Sequence, residues 1–430
     1  MFRTRDKLKE ILSKLETRIS SERVFSRIYA SAATTEASAS DERRNLGRLV
    51  GPLDGRIISI KDLFDNKGEP TLAGSIVRRT AAVASEDAVI VERLRAAGAV
   101  IIGKTHMTEF AFTAVGLNPH YGVPANAIDP HYVPGGSSSG AAVSVAEGTS
   151  EIAIGSDTGG SVRIPAALNG LVGFKPTANR IPLRGVFPLA PSLDSIGPIA
   201  QTVADCILAD SVMAGDEPVL PVPRALDTLT VGLPEGMLLA DMESDVCDAF
   251  KRSLKMLQEA GARIVSFELN DLILELRKAA SIGSIAALEA SHIHADTWLK
   301  DPDATVDERV KHTLAKRLKV SEKDYHSLMQ TRQRLIAEMN RRLAGIDFLV
   351  TPTTPIVAPT IASVIDDPVA YERVEDLLLR NTQIANQFDL CSITLPMPVT
   401  GMPVGLMLTA RNSADKELLA AALSVEKLLS

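Results

Sequence analysis

The chain has 430 residues, 45% of them hydrophobic and 23% charged, with a formal net charge of −7. That is enough apolar material for a large buried core in an enzyme-sized globular protein. Acidic and basic residues are well mixed, so no basic stripe marks nucleic acid or an anionic membrane as a partner, and a small neutral or polar substrate is easier to reconcile.

The first element in the chain is an amphipathic helix. Leu8, Ile11, Leu12, Leu15 and Ile19 recur at helical spacing, which predicts a helix docked on the core or on a partner subunit. The same stretch lacks the continuous apolar run of a signal peptide, and no apolar stretch of about 18 residues follows anywhere, so no membrane span is expected. Cys206, Cys247 and Cys391 lie far apart and are odd in number. They suit reduced thiols better than a disulfide framework or a zinc site, which makes the cytoplasm the default compartment.

From Arg56 onward, runs rich in β-branched residues alternate with helical runs. RIISI reads as strand, AVIVERLRAAG as helix, AVIIG as strand, and AAVSVAEG as helix before the strand EIAIG. This is α/β patterning. The Pro-bearing stretch DEPVLPVPRALD at 216–227 reads as an exposed connector. Residues 240–345 are more charged and read as mostly helical, an excursion from one sheet. FLVTPTTP, SITLPMP and VGLMLTA return as strands, and KELLAAALSVEKLL closes the chain as a helix.

The densest chemistry lies between Val133 and Ala166, in VPGGSSSGAAVSVAEGTSEIAIGSDTGGSVRIPA. Gly-Ser clusters are ordinarily flexible linkers. Here a helix begins directly after the first cluster, a strand leads into the second, and Pro165 suits the first turn of another helix, so both are pinned to rigid elements. A serine hydroxyl needs a base to become nucleophilic, and the resulting tetrahedral intermediate needs N–H donors around its oxyanion. Thr158, Gly159, Gly160 and Ser161 can supply such donors, because paired glycines let the backbone turn tightly and approach a substrate.

None of the seven histidines sits in a Ser–His pattern, so another base has to be considered. Lys61 ends the strand RIISIK, on the same face as Ile57 and Ser59 by alternation. A lysine there is a candidate base if buried; neutralising one of pKa about 10.4 at pH 7 costs about 4.6 kcal/mol, within reach of full desolvation. The ordinary reading of such a residue is a solvated or ion-paired strand-end lysine, and the serine clusters are what shift it.

Two other motifs compete. Gly98 to Thr105 formally matches the phosphate-loop pattern G-x-x-x-x-G-K-[ST], although its AVII core is strand material rather than a loop of inward-facing N–H groups. Gly136-Ser137-Ser138-Ser139-Gly140 matches a G-x-S-x-G elbow with Ser138 as nucleophile. That elbow requires a later acid and histidine, and His292, His294, His312 and His326 all fall in the charged helical region.

GPLDGRIISIKDLFD, GKTHMTEFA and GGSSSGAAVSVAEG…GSDTGGSVRIPA occur in the order and spacing of the amidase signature family, which the chain resembles from about residue 5 to its last helix. The resemblance implies a single α/β domain over 1–430, with a large mixed twisted sheet covered by helices on both sides. Residues 1–50 would form N-terminal helices, 51–215 the signature core, about 240–345 the helical excursion, and 346–430 the strands and helix completing the core. It implies Ser161 as acyl-enzyme nucleophile, Ser137 as bridging serine after a cis Gly136–Ser137 peptide, and Lys61 as base. Thr158 to Ser161 would form the oxyanion hole, and an Asp157–Arg163 ion pair would hold that turn, in preference to Arg163 anchoring an acidic substrate.

The implied activity is hydrolysis of a small-molecule carboxylic amide without metal or cofactor. Related carbamate, urea or ester bonds are the alternatives, as is the glutamine-hydrolysing subunit of an amidotransferase, the one case in which nucleic acid enters. His106 departs from the asparagine common at that position and reads either as pocket wall or as an ordinary core or surface histidine. The pocket is expected from 107–135, 180–195 and the excursion. With 4% aromatic residues and Trp298 the single tryptophan, an aromatic cage is less obvious. The N-terminal helix allows a homodimer, unless its apolar face is covered within one subunit.

Overall fold

The computed structural model describes residues 3–19 and 21–430. Among the described residues are eleven strands: β1 (Phe25–Ile28), β2 (Ile57–Lys61), β3 (Val100–Thr105), β4 (Ile152–Asp157), β5 (Val172–Lys175), β6 (Ser195–Ala200), β7 (Thr230–Pro234), β8 (Arg263–Phe267), β9 (Phe348–Pro352), β10 (Cys391–Pro396) and β11 (Gly405–Ala410). They form one sheet in the order β1-β3-β2-β4-β6-β5-β10-β11-β9-β7-β8. The sheet is mixed: β2 runs parallel to β3 and β4, and β7 to β8 and β9, while the other neighbours are antiparallel.

β3 illustrates why helices cover both faces. Val100 and Ile102 enter an apolar cluster with Leu8, Ile11 and Leu15 of helix Thr4–Thr17 and Ala33 and Ala37 of helix Ala30–Asn45. Ile101 enters the main core on the opposite face. A strand buried on both sides needs apolar residues at successive positions, hence the unbroken run in its sequence.

The N-terminal helix therefore docks on its own subunit, and its apolar stripe carries no argument for a homodimer. Ile19 lies beyond the helix end and is 77% exposed, so it does not extend the stripe as the spacing predicts. Strand β1 also interrupts the N-terminal segment expected to be helical, pairing antiparallel with β3.

The 240–345 segment supplies helices Ser244–Glu259, Asn270–Ala279, Ile285–His294, Glu308–Arg317 and Glu322–Arg342. It also contains β8, which extends the sheet by pairing parallel with β7. RIVSF is an edge strand with only Phe267 fully buried, so its sequence lacks the apolar continuity of the central strands. Among the described residues, no helix is long and apolar enough to cross a membrane.

Candidate active site

The site is assembled where β2 and β4 end. These strands pair in parallel with Ile60 opposite Ile154, so Lys61 emerges beside the β4 residues that lead into the second Gly-Ser cluster. Helix Ser139–Ala146 packs over the same face with small residues. A Cβ on Gly140 would lie 2.3 Å from the Val24 carbonyl oxygen, so only glycine permits this approach. Ser59, two residues before Lys61, meets the Ser144 hydroxyl of that helix at 3.0 Å, which fixes Lys61 on the helix-covered face.

Lys61 is fully buried and its Nζ donates to Ser137 Oγ at 2.7 Å and to Ser156 Oγ at 2.9 Å. Burial lowers its pKa to about 7 even though Asp157 and Asp194 favour the charged form. The Gly136–Ser137 peptide is cis. Backbone bonds hold this turn: Gly136 N–H donates to the Ala114 carbonyl at 2.6 Å and Thr108 N–H to the Ser137 carbonyl at 3.2 Å. Ser138 N–H donates to the Ser161 carbonyl at 3.2 Å, which ties the two Gly-Ser clusters together. Among the described residues Ser161 Oγ makes no hydrogen bond to protein, so the link between the hydroxyls of Ser137 and Ser161 is not closed in this state. Catalytic hydrogen bonds of this kind commonly tighten only when substrate is bound.

The turn that carries Ser161 is held from three sides. Gly160 has φ 140°, and a Cβ there would lie 2.2 Å from Thr382 Oγ1. Thr382 Oγ1 in turn donates to the Gly159 carbonyl at 2.7 Å. The N–H groups of Gly159, Gly160 and Ser161 have no acceptor among the described residues. Thr158 Oγ1 donates to Asp194 Oδ1 at 2.6 Å. Burial raises the Asp194 pKa to about 6, against the opposing pull of hydrogen bonds from Thr158 and the N–H groups of Ala190 and Leu189.

Below the turn, the fully buried Arg163 pairs with Asp157 through Nε–Oδ2 at 3.0 Å and Nη2–Oδ1 at 2.8 Å. Its remaining N–H groups reach the Thr382 carbonyl and Asn386 Oδ1, both at 2.8 Å. Burial alone would raise the Asp157 pKa, but the Arg163 charge and hydrogen bonds hold it at about 2. With its donors committed to protein, Arg163 is not disposed to anchor a substrate carboxylate. Arg163→Met is therefore expected to destabilise the fold by about 3–5 kcal/mol, because it strands the buried Asp157 charge. Urea unfolding checks this, and wild-type stability would contradict the structural role of the pair.

The competing motifs separate cleanly in space. Val100–Thr105 of the phosphate-loop match is the buried strand β3 rather than a loop, with Lys104 buried at 3.5 Å from Asp62 and 3.3 Å from Glu69. Ser138 is buried and donates to the Ser156 carbonyl at 3.3 Å, so its hydroxyl is not presented as an elbow nucleophile. His106 is buried, and burial lowers its pKa to about 4, leaving a neutral core imidazole near Tyr121. Cys206, Cys247 and Cys391 are free thiols. Among the described residues no group of three or more His, Cys, Asp or Glu is placed to hold a metal ion.

The Amidase family pattern matches residues 6–419. The chain belongs to the amidase family. It is 34% identical over 405 residues to the 2-amino-5-chloromuconic acid deaminase of Comamonas testosteroni, covering 92% of this chain and 86% of that protein. It is 32% identical over 430 residues to one subunit of the glutamyl-tRNA(Gln) amidotransferase of Chloroflexus aurantiacus, covering 92% and 87%. A crystal structure of an amidase superposes with a TM-score of 0.88 at 31% identity, covering all of this chain and 97% of that one. As a member of this amidase family the chain is a hydrolase of amide C–N bonds, and its single mixed-sheet domain is the fold of the family.

Reading the sequence locally misses several residues of this amidase site. Ser156 lies inside the Gly-Ser-rich segment but is hidden among its serines. Thr382 and Asn386 stand more than 200 residues from the turn they hold, in helix Pro368–Gln387. In the sequence they are ordinary polar residues of the run RNTQIANQFD, with nothing local to say what they touch. The low aromatic content also misleads: Phe110, Phe187, His294 and the single tryptophan gather into one cluster.

Proposed function

We propose that this amidase cleaves a small-molecule carboxylic amide to an acid and ammonia or an amine through an acyl-enzyme on Ser161. The observation that carries the reading is a fully buried Lys61, with pKa about 7, placed 2.7 Å from Ser137 Oγ. Neutral Lys61 takes a proton from Ser137 as Ser137 takes one from Ser161, and Ser161 Oγ attacks the amide carbon. The N–H groups around Thr158 to Ser161, three of which have no acceptor among the described residues, would receive the oxyanion. The relay returns the proton to the leaving nitrogen, the C–N bond breaks, and water repeats the cycle on the ester to release the acid. The Asp157–Arg163 pair and Asp194 position the turn and do not touch the reacting atoms.

In this reading the lysine works when neutral. The rate constant kcat/KM is expected to fall about tenfold per pH unit below about 7 and to level off above it. A pH–rate profile flat from acid to neutral would contradict the lysine base. The substrate class is tested by mass-spectrometric product identification from primary amides, anilides, carbamates, ureas, esters and glutamine, with Ser161→Ala protein as control. Ser161-dependent release of acid from simple amides supports the reading, and Ser161-independent release sinks it.

A second reading, the glutamine-hydrolysing subunit of an amidotransferase, is favoured by the identity to the Chloroflexus amidotransferase chain over nearly the whole length. Turnover of simple amides by the isolated chain counts against it, and turnover of glutamine alone counts for it.

A further inference from the structure

A cavity of about 400 Å³ opens on the side of the molecule formed by the Ile76–Arg78 turn, Phe110, Phe187 and the 293–304 segment. Its wall holds a tight aromatic cluster. The rings of Phe110 and Trp298 stack at 5.2 Å with 7° between their planes, and His294 lies against both at 4.5 and 4.8 Å. Arg78 reaches the same wall. Its Nε donates to the Thr71 carbonyl at 2.7 Å and its guanidinium carbon lies 4.3 Å over the Phe187 ring, but among the described residues it forms no ion pair. Asp65 and Asp62 act on its charge without reaching ion-pair contact, so the half-buried guanidinium keeps N–H groups that no described residue accepts, beside aromatic side chains.

His294 adds a second incomplete group. An indole N–H can only donate, and Trp298 Nε1 lies 2.9 Å from His294 Nδ1, so Nδ1 is the acceptor and the proton of the neutral ring is on Nε2. Nε2 is buried and has no partner among the described residues. Burial and the Arg78 charge lower the pKa to about 4, which keeps the ring neutral at pH 7. His294 Nε2–H and the Arg78 guanidinium thus both leave N–H groups without an acceptor among the described residues. Asp301 also reaches the wall, but it is exposed and its Oδ1 already accepts from the Asp303 N–H at 2.9 Å.

We propose that this cavity binds the carboxylate of a planar, unsaturated small molecule, with Arg78 receiving the anion and the Phe187 and Trp298 side chains that line the cavity bordering the π system. Phe187 is shared between this cavity and a small void of about 10 Å³ that reaches Ser156, the second partner of Lys61. Phe187 is thus a wall of both the cavity and the void beside Ser156. The binding claim stands without the Ser161 chemistry; assigning the carboxylate to the amide substrate itself rests on that reading.

Trp298 is the only tryptophan in the chain, so selectively excited indole emission reports directly on this wall. Benzoate is titrated into Ser161→Ala protein at constant ionic strength, with benzamide as the uncharged comparison. Benzoate is expected to give a saturable change, weakened about tenfold or more by Arg78→Gln and partly restored by Arg78→Lys. No saturable response, or unchanged affinity in Arg78→Gln, overturns the proposal. Turnover of terephthalamate and benzamide then separates the two sources of carboxylate. If it belongs to the substrate, Arg78→Gln raises KM for terephthalamate alone; if it belongs to a separate acid, both amides respond alike and added benzoate changes their turnover. Benzoate binding by a protein inert towards every simple amide would keep this site and overturn the simple-amide reading of Ser161.

Discussion

Ser161→Ala is expected to lower kcat/KM for the best amide by on the order of 10⁴-fold or more, with the fold intact. The residue sits on the turn after β4, where its carbonyl accepts from Ser138 N–H and its side chain makes no protein hydrogen bond among the described residues, so alanine removes the proposed nucleophile and nothing that holds the turn. The turn is held instead by Thr382 and by the Asp157–Arg163 pair. Unfolding midpoint and m-value should therefore match wild type while acylation disappears. Residual activity within about tenfold of wild type would assign the nucleophile elsewhere.

Lys61→Met has two expected effects of opposite sign. Activity falls by about 10²–10⁴-fold, the usual contribution of a positioned base, and the loss of rate below about pH 7 disappears with the group that causes it. Stability should rise. Burial lowers the Lys61 pKa from its ordinary 10.5 to about 7, so between those values the unfolded chain holds a proton that the folded chain lacks. The penalty for burying Lys61 is complete below about pH 7 and fades as pH approaches 10.5. Methionine removes that penalty, a gain on the order of a few kcal/mol at acidic pH that should vanish in alkali. Denaturant unfolding at two pH values checks it, and a Lys61→Met protein less stable than wild type at low pH would show that the lysine is buried at no net cost.

The parts of this structure legible in the sequence are those compressed into short segments. Lys61 could be placed on a face because strand alternation is local, and the Asp157–Arg163 pair spans only one strand-to-helix turn. The signature blocks carried the family and the mixed-sheet domain. Order within the sheet was not legible, because neighbours such as β5 and β10 meet across more than 200 residues. β8 was hidden by its weak edge-strand patterning inside a helical segment. The supports of the Ser161 turn, Thr382 and Asn386, read as ordinary polar residues on a helix until the helix is seen against the turn. Composition likewise could not show that Phe110, Phe187 and Trp298, scattered over nearly 190 positions, share one wall.

The central claim is that the carbonyl carbon of the substrate is transferred to Ser161. Rapid acid quenching during turnover of an activated amide, followed by peptide mass mapping, reads that bond directly. The account predicts the acyl mass on the peptide containing Ser161, absent in Ser161→Ala. An acyl group on Ser138 or Ser137 instead, or turnover persisting in Ser161→Ala, would contradict it.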